Sequence, residues 1–429
     1  MRPIFPFCCL KLFRGIAPLA IFFLAGVAVA AESTALLNIP ASETTLHVAV
    51  PSPGGVELQS ADAWQLVEVD EPNVAVRVEV VPAVAADGTA DKGQDSLLAV
   101  VPPRRGAESP RRFRLEPAQQ TAEIGFQFED VDAKSLKLAE GAQSVLVYNH
   151  GPITREDVPQ SDHRRTRACY IHPLWGLSGE VLTDDFPKDH YHHHGVFWTW
   201  PHVQVEGDDR PYDIWAGPNI RDRFVRWMYR EAGPVAAVLA VENGWFVGER
   251  KVMIERVWLR TYRALDDQRV LDLEFAWIPV DRPITLWGAE GKSYGGLTVR
   301  FAPRSREETL ITVPSGRTTG DLPDTPLQWA DLTSKFGQRE TPSGAAVFIP
   351  PSHPDYPPTW LTRYYGPLCV GWPGVKPKTF EAGKPIRLSY RIWIHKSAVE
   401  LDDLQRAYEA YVAASSTDGA APGDVGKSR

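Results

Sequence analysis

The chain has 429 residues with a formal net charge of −8 and 43% hydrophobic composition, enough for two or three domains with a sizeable core. Its acidity argues against a nucleic-acid or anionic-membrane binder. With 37 prolines, 33 glycines and 14 tryptophans and few long helical periodicities, the composition points to an all-β protein.

In chain order, Arg2, Lys11 and Arg14 flank an uncharged run from Ile16 to Ala30 that ends Ala28-Val29-Ala30. This predicts a secretory signal peptide over 1–30, too short in its apolar part for a membrane span; the alternative is an uncleaved N-terminal anchor. Cleavage near Ala30 takes the formal charge to −11. The mature chain is then expected to be secreted or periplasmic, with no stable membrane insertion. Cys8 and Cys9 leave with the signal. Cys169 and Cys369 remain, either as one disulfide or as buried free thiols.

Residues 31–143 read as a small β-sandwich of immunoglobulin-like size. Thr45 to Val50, Val74 to Val81 and Glu123 to Phe128 alternate with period two, and Ala85 to Ser96 and Pro102 to Pro110 read as connections. Residues 144–414 read as one large antiparallel β-supersandwich. Phe224 to Arg230, Val235 to Val241, Lys251 to Tyr262 and Val270 to Val280 form a meander turning at Glu242-Asn243-Gly244 and at Leu265-Asp266-Asp267. Further strands are expected at 297–302, 309–313, 345–349, 368–372 and 386–394. One C-terminal helix is predicted from Ala398 to Ala413, with Leu401, Leu404, Tyr408, Tyr411 and Val412 on one face. Residues 415–429 read as a disordered tail.

Three stretches could carry chemistry. Between 167 and 202 lie six of the 11 histidines, among them His172, His190, His192, His193, His194 and His202, with Asp184, Asp185 and Asp189 interspersed. Such a density of groups that titrate near neutrality or bind metal is more than a surface requires. In an extended chain His190, His192 and His194 would share one face and His193 the other. His192 and His194 are then a candidate pair of ligands for one divalent metal, zinc or copper. Equally, one or two histidines could act as acid/base groups or sugar-hydroxyl donors without metal, with Asp185 as acid partner. A third reading is a plain His-rich surface turn.

The second stretch, Trp287 to Arg300, contains paired glycines that allow close approach of a ligand. Glu290, Lys292 and Tyr294 would face the opening as carboxylate, cation and phenol; the alternative is a bulged hairpin with surface charges. In the third, a Pro-rich loop leads to Trp360 and Arg363, suited to a carboxylate or sugar face. Trp215, beside Asp213, adds an indole, and Trp198 another. No phosphate loop, nucleophile elbow or CxxC pair is present.

Tyr170-Ile-His-Pro-Leu, Phe186-Pro187 through His192-His193-His194-Gly195 with Trp198, Asp213-Ile214-Trp215, Tyr294-Gly295-Gly296-Leu297 with Arg300, and Trp360-x-x-Arg363 with Tyr365-Gly366 together resemble the secreted bacterial family labelled "methane oxygenase PmoA" over roughly residues 145–410. A methane monooxygenase subunit is an integral membrane protein, and this chain offers no spanning helix after its signal. The resemblance implies a galactose-mutarotase-like supersandwich that acts on or binds carbohydrate, with His192, His193, Tyr294, Arg300 and Arg363 as site candidates. The expectation is a carbohydrate-active enzyme, performing hydrolysis, elimination or epimerisation. In that reading His192 or His193 is the base, Glu290 or Asp185 the acid and Tyr294 a proton donor. Lys292, Arg300, Arg363, His172, Trp198 and Trp215 hold the substrate. The alternatives are a non-catalytic glycan binder and a His-ligated metal-dependent oxidoreductase.

Overall fold

The structure, a computed structural model, describes residues 36–416 apart from 55–57, 59–62, 107–108 and 120–123. The signal-peptide segment and residues 417–429 of the expected tail lie outside the described residues.

Two nine-stranded antiparallel sheets face each other. The first, called here the site sheet, runs in the order Leu322–Pro326, Thr359–Thr362, Pro367–Gly371, Gly296–Arg300, Val196–Thr199, Tyr170–Leu174, Gln143–Asn149, Ser135–Glu140, Phe126–Asp130. The second, the central sheet, runs Arg221–Ala232, Ala236–Val247, Arg250–Tyr262, Gln268–Pro279, Ile386–His395, Ser343–Phe348, Trp329–Ser334, Leu310–Val313, Gly316–Arg317. One core joins them: Ile171, Val196, Trp198, Leu297 and Val299 of the site sheet meet Leu239, Val241, Leu259, Leu273 and Phe275 of the central sheet. Among the described residues the chain forms the expected all-β sandwich with a single C-terminal α-helix.

The central sheet is covered on both faces. Along Ala236–Val247, Ala237, Leu239 and Val241 enter the core between the sheets, whereas Ala236, Val238 and Ala240 enter a second core on the far side. That is why this strand reads as a nearly unbroken apolar run. The far side is closed by Val81, Leu98 and Val100 from the N-terminal part and by Leu404, Tyr408 and Tyr411 of the helix α1, Leu401–Ser415. Three-and-four spacing puts those helix residues on one stripe. Leu401, assigned to that stripe from the sequence, is instead exposed at the first turn.

The N-terminal part is one six-stranded antiparallel sheet, ordered Leu36–Ile39, Arg111–Pro117, Trp64–Glu68, Ala75–Val84, Ala90–Val101, Leu46–Pro51. Among the described residues its strands all belong to that one sheet. Its inner side chains gather into one core, with Ala410 and Ala414 of α1 among them. Three boundaries differ from the sequence reading. The strands Phe126–Asp130, Ser135–Glu140 and Gln143–Asn149, which begin inside the span 31–143, pair within the site sheet. Residues 90–96, read as connection, open the strand Ala90–Val101; their polar side chains are partly exposed while the backbone pairs with both neighbours. Glu242-Asn243-Gly244 continues a strand instead of turning, because Asn243 is buried and donates to Glu255 Oε1 at 2.9 Å. The turn at Asp266-Asp267 is where it was expected, with positive φ at both residues.

The hairpin tip at Asp87-Gly88 locks the N-terminal sheet onto the central sheet. Trp258 Nε1 donates to Gly88 O at 2.8 Å and Arg256 Nη1 to Asp87 O at 2.8 Å. Gly88 has φ +80°, and a Cβ there would lie 2.6 Å from Ala276 Cβ. Gly88→Ala should therefore cost about 1–3 kcal/mol through backbone strain and overpacking. A chemical-denaturation midpoint equal to that of the parent would count against this account of the seam.

Candidate functional site

In the site sheet successive residues alternate between faces. Ile171, Val196, Trp198, Leu297 and Val299 point into the core, so Tyr170, Phe197, Thr298 and Arg300 line the outer face. Trp198, expected to touch substrate, is thus a core residue whose ring lies 4.9 Å from Phe275. Phe197 takes the outward place, against Trp215 at 5.1 Å.

His190, His192, His193 and His194 sit on the loop between Tyr170–Leu174 and Val196–Thr199. This loop is not extended. His190 N bonds Pro187 O and His193 N bonds His190 O, both at 2.9 Å, which makes two successive turns. Residues three apart therefore meet: the rings of His190 and His193 stack at 4.6 Å and 9°. The alternation expected of an extended chain does not apply. Gly195 closes the loop against its neighbouring strand, where a Cβ would fall 1.9 Å from Ile171 O. Only glycine permits that approach.

His194 turns inward. Its Nδ1 lies 2.9 Å from Asp185 Oδ1, and Asp185 Oδ2 accepts from Tyr170 OH at 3.0 Å. Burial raises the Asp185 carboxyl to about 6, against the opposing pull of His172 and the Tyr170 bond. Burial, with Arg167 nearby, holds His194 well below its ordinary value. Asp185 therefore supports the loop from beneath. His172 belongs to the same layer, with Nδ1 3.0 Å from Thr183 Oγ1.

A second layer faces outward. Tyr365 stacks on His190 at 5.2 Å and 4°, continuing the His190–His193 stack. Buried Arg300 lies 4.9 Å from the Tyr365 ring centre, and its Nη2 reaches Asp189 Oδ1 at 3.2 Å. Arg300 Nη1 donates to His193 Nδ1 at 3.4 Å. A neutral His193 ring receiving that bond carries its proton on Nε2. Burial, then His192 and Arg300, keeps His193 neutral. The His192 ring lies 4.8 Å from His193 and 6.4 Å from Trp215. Its Nδ1 is buried with no partner, and burial followed by His190 lowers it to about 4. Trp215 walls this side and meets half-buried Tyr294 at 4.8 Å; burial, then Asp213, raises the Tyr294 phenol. Arg167, buried in an ion pair with Asp222, holds the Trp215 loop through Ile214 O at 2.9 Å.

The structure thus brings together His172, Asp185, His192, His193, Trp215, Tyr294 and Arg300. It does not bring Glu290 or Lys292 to them: both are exposed on a turn closed by Ser293 N to Ala289 O at 2.8 Å. The hairpin alternative describes them. Arg363 pairs with Asp321 at 2.9 Å, beside a cavity of about 400 Å³ lined by Arg306, Asp321, Tyr364 and Tyr365. His202 stacks on Trp287 at 4.8 Å in a separate three-stranded sheet. Among the described residues no group of three or more His, Cys, Asp or Glu side chains is placed to hold a metal ion. His194, one of the two suggested ligands, has Nδ1 engaged by Asp185. Sequence reasoning missed Tyr365 as a member of the site and Tyr170 as partner of Asp185. An aromatic before Gly366 on a turn was the available signal for the first. Cys169 and Cys369 are buried free thiols, not a disulfide.

Fold and site define an all-β sandwich protein with a neutral, aromatic-walled histidine cluster on the outer face of one sheet. The chain belongs to DUF6807, a family of unknown function whose profile matches residues 135–409. That match names neither a methane oxygenase nor a mutarotase. No curated protein matches the chain.

Asp185 has a pH signature. Its folded value, about 6, lies above the ordinary ~3.9, so between those values the folded state binds the extra proton and stability falls as pH rises. Relative to Asp185→Asn, the wild type should lose roughly 2–3 kcal/mol of stability between about pH 4 and 6. A difference that stays constant across that range would refute the buried-acid assignment.

Proposed function

We propose that this protein is an exported carbohydrate-active enzyme that moves a proton at a sugar carbon, by elimination or epimerisation. The observation that carries the reading is the pair of neutral imidazoles 4.8 Å apart. One is fixed as an Nε2–H donor by Arg300, and the other is held neutral by burial. His192 is the base: the sugar C–H bond breaks, the proton passes to His192, and the electron pair moves toward an adjacent carbonyl or carboxylate oxygen. His193 donates a hydrogen bond to that oxygen, with buried Arg300 adding positive potential behind it. Delivery of a solvent proton to the opposite face, with His192 releasing the one it took, completes epimerisation; departure of the β-oxygen substituent, taking up a proton to leave as an alcohol, completes elimination. Trp215, Tyr294 and Tyr365 offer flat faces for the sugar ring.

Hydrolysis by two carboxylates is less well supported. Asp185 is engaged by His194 and Tyr170, and Asp189 by Arg300, so neither stands free as the acid or the nucleophile of such a pair. The two facing nine-stranded sheets support a supersandwich of the galactose-mutarotase type. One observation favours a second reading, a glycan binder without turnover: Tyr365 is 39% exposed beside the cavity of about 400 Å³, a platform that needs no chemistry.

The test is a panel of neutral and uronate-containing oligosaccharides in D₂O, read by NMR for C–H exchange and by ultraviolet absorbance for a new C=C bond. His192→Ala should lower the rate by about 10²–10⁴-fold with folding intact. Because His192 titrates at about 4, kcat/KM should rise through that pH as the ring loses its proton and stay level above it. Unchanged turnover in His192→Ala would refute the assignment. Saturable binding without exchange would select the binder.

A further inference from the structure

The cavity of about 400 Å³ lined by Arg306, Asp321, Tyr364 and Tyr365 borders the histidine cluster. Tyr365 is common to both: it lines the cavity and continues the His190–His193 stack. What the cavity can hold follows from which of its charged groups are already used.

Two charged side chains line it, Arg306 and Asp321. Asp321 is engaged at both oxygens: Oδ2 accepts from Arg363 Nη1 and Oδ1 from Tyr364 N, each at 2.9 Å. Arg363, the cation that the sequence offered for a carboxylate, is thereby occupied. Arg306 is not. Its guanidinium carbon lies 4.0 Å from the centre of the Tyr364 ring, and among the described residues it enters no ion pair. Glu308, two positions on, is held by Arg304 and Lys335, while Glu307 is exposed and does not line the cavity. An anion that docks on Arg306 therefore breaks no existing pair.

The ring beneath the guanidinium is anchored. Tyr364 is buried, its hydroxyl donates to Thr318 O, and its backbone N is held by Asp321. A guanidinium stacked on a fixed ring keeps its N–H edge for both oxygens of a carboxylate and loses little freedom on binding one. Beside it, exposed Tyr365 offers a surface for the apolar side of a sugar ring. A cation next to an aromatic platform favours a sugar that carries an acid group over a neutral one.

The geometry points to this cavity as the subsite for a uronate ring that neighbours the reacting ring in the same oligosaccharide. This rests on the reading of the histidine cluster as the reacting centre, and it makes polyuronates the substrate class. Adjacent uronates place one carboxylate next to the C–H bond that His192 breaks and the next carboxylate on Arg306. Arg306 is then a specificity residue and takes no part in proton transfer.

The experiment separates binding from turnover. Trimers of galacturonate, glucuronate and mannuronate, with maltotriose and cellotriose as neutral controls, are titrated calorimetrically into the mature chain carrying His192→Ala, which removes turnover. The same titrations are run with Arg306→Gln or Arg306→Lys added. At least one uronate trimer should bind about tenfold or more tightly than the neutral trimers, and Arg306→Gln should weaken it by about tenfold. Arg306→Lys, which keeps the charge without the two-pronged edge, should fall between. With His192 restored, Arg306→Gln should raise KM for that trimer and leave kcat nearly unchanged. Any of three results would overturn the inference: no uronate trimer binds, neutral trimers bind as tightly, or Arg306→Gln leaves uronate affinity unaltered. Failure of the catalytic reading looks different. Uronate trimers would then bind in an Arg306-dependent way while the His192 chain shows neither C–H exchange nor elimination, which upholds the subsite and removes the chemistry.

Discussion

The whole architecture depends on the middle of the central sheet being covered on both sides. A sheet covered once alternates apolar and polar residues; one covered twice must be apolar throughout or satisfy every polar group it buries. The strand Ala236–Val247 does both. Its first six residues are all apolar, and its next two, Glu242 and Asn243, are buried with partners. Glu255 on the adjacent strand has no exposure and accepts from Asn243 Nδ2, Trp245 Nε1 and Trp277 Nε1 at 2.9–3.0 Å. This carboxylate is spread over three neutral donors and no cation, so two tryptophans and an asparagine are fixed at the centre of the sandwich. With that layer rigid, the site sheet has a firm base on one side and is free to carry chemistry on the other.

The histidine cluster follows the opposite electrostatic logic. Among the described residues the permanent cation in contact with the His193 ring is Arg300, and Asp189 offsets much of that charge. Burial does the rest by keeping His192, His193 and His194 uncharged. A cluster of imidazolium ions would repel itself and bind anions. A cluster of neutral rings instead presents a mixture of donors and acceptors, each set by whichever nitrogen the protein has already engaged. Arg300 sets His193 and Asp185 sets His194, and His192 is the ring left unset.

Much of the fold was legible because its strands are long and apolar: the four-strand meander, the strand from 386 and the helix all stand where the pattern put them. The misreadings have one common cause, which is that short-range signals were trusted where long-range partners decide. Glu-Asn-Gly is a turn signal locally, but Glu255 lies opposite it. Four histidines in five residues suggest an extended alternation, but Pro187 and His190 accept bonds that fold the segment into turns. Trp198 and Phe197 are equally aromatic, and only the register of the sheet, Val196 opposite Val299, decides which faces out. For the site, the residue types were visible in the sequence and the pairings were not. Glu290 and Lys292 had suitable chemistry but stand at the exposed end of a tight turn.

The two thiols bear on where such a protein can work. Cys169 and Cys369 are buried, and burial raises both, Cys369 to about 11. A thiol that keeps its proton is a poor nucleophile toward disulfides and oxidants. Among the described residues, then, the fold contains no covalent cross-link to be formed, shuffled or reduced. Its integrity rests on packing, hydrogen bonds and ion pairs, and neither of these two thiols is exposed to exchange with its surroundings.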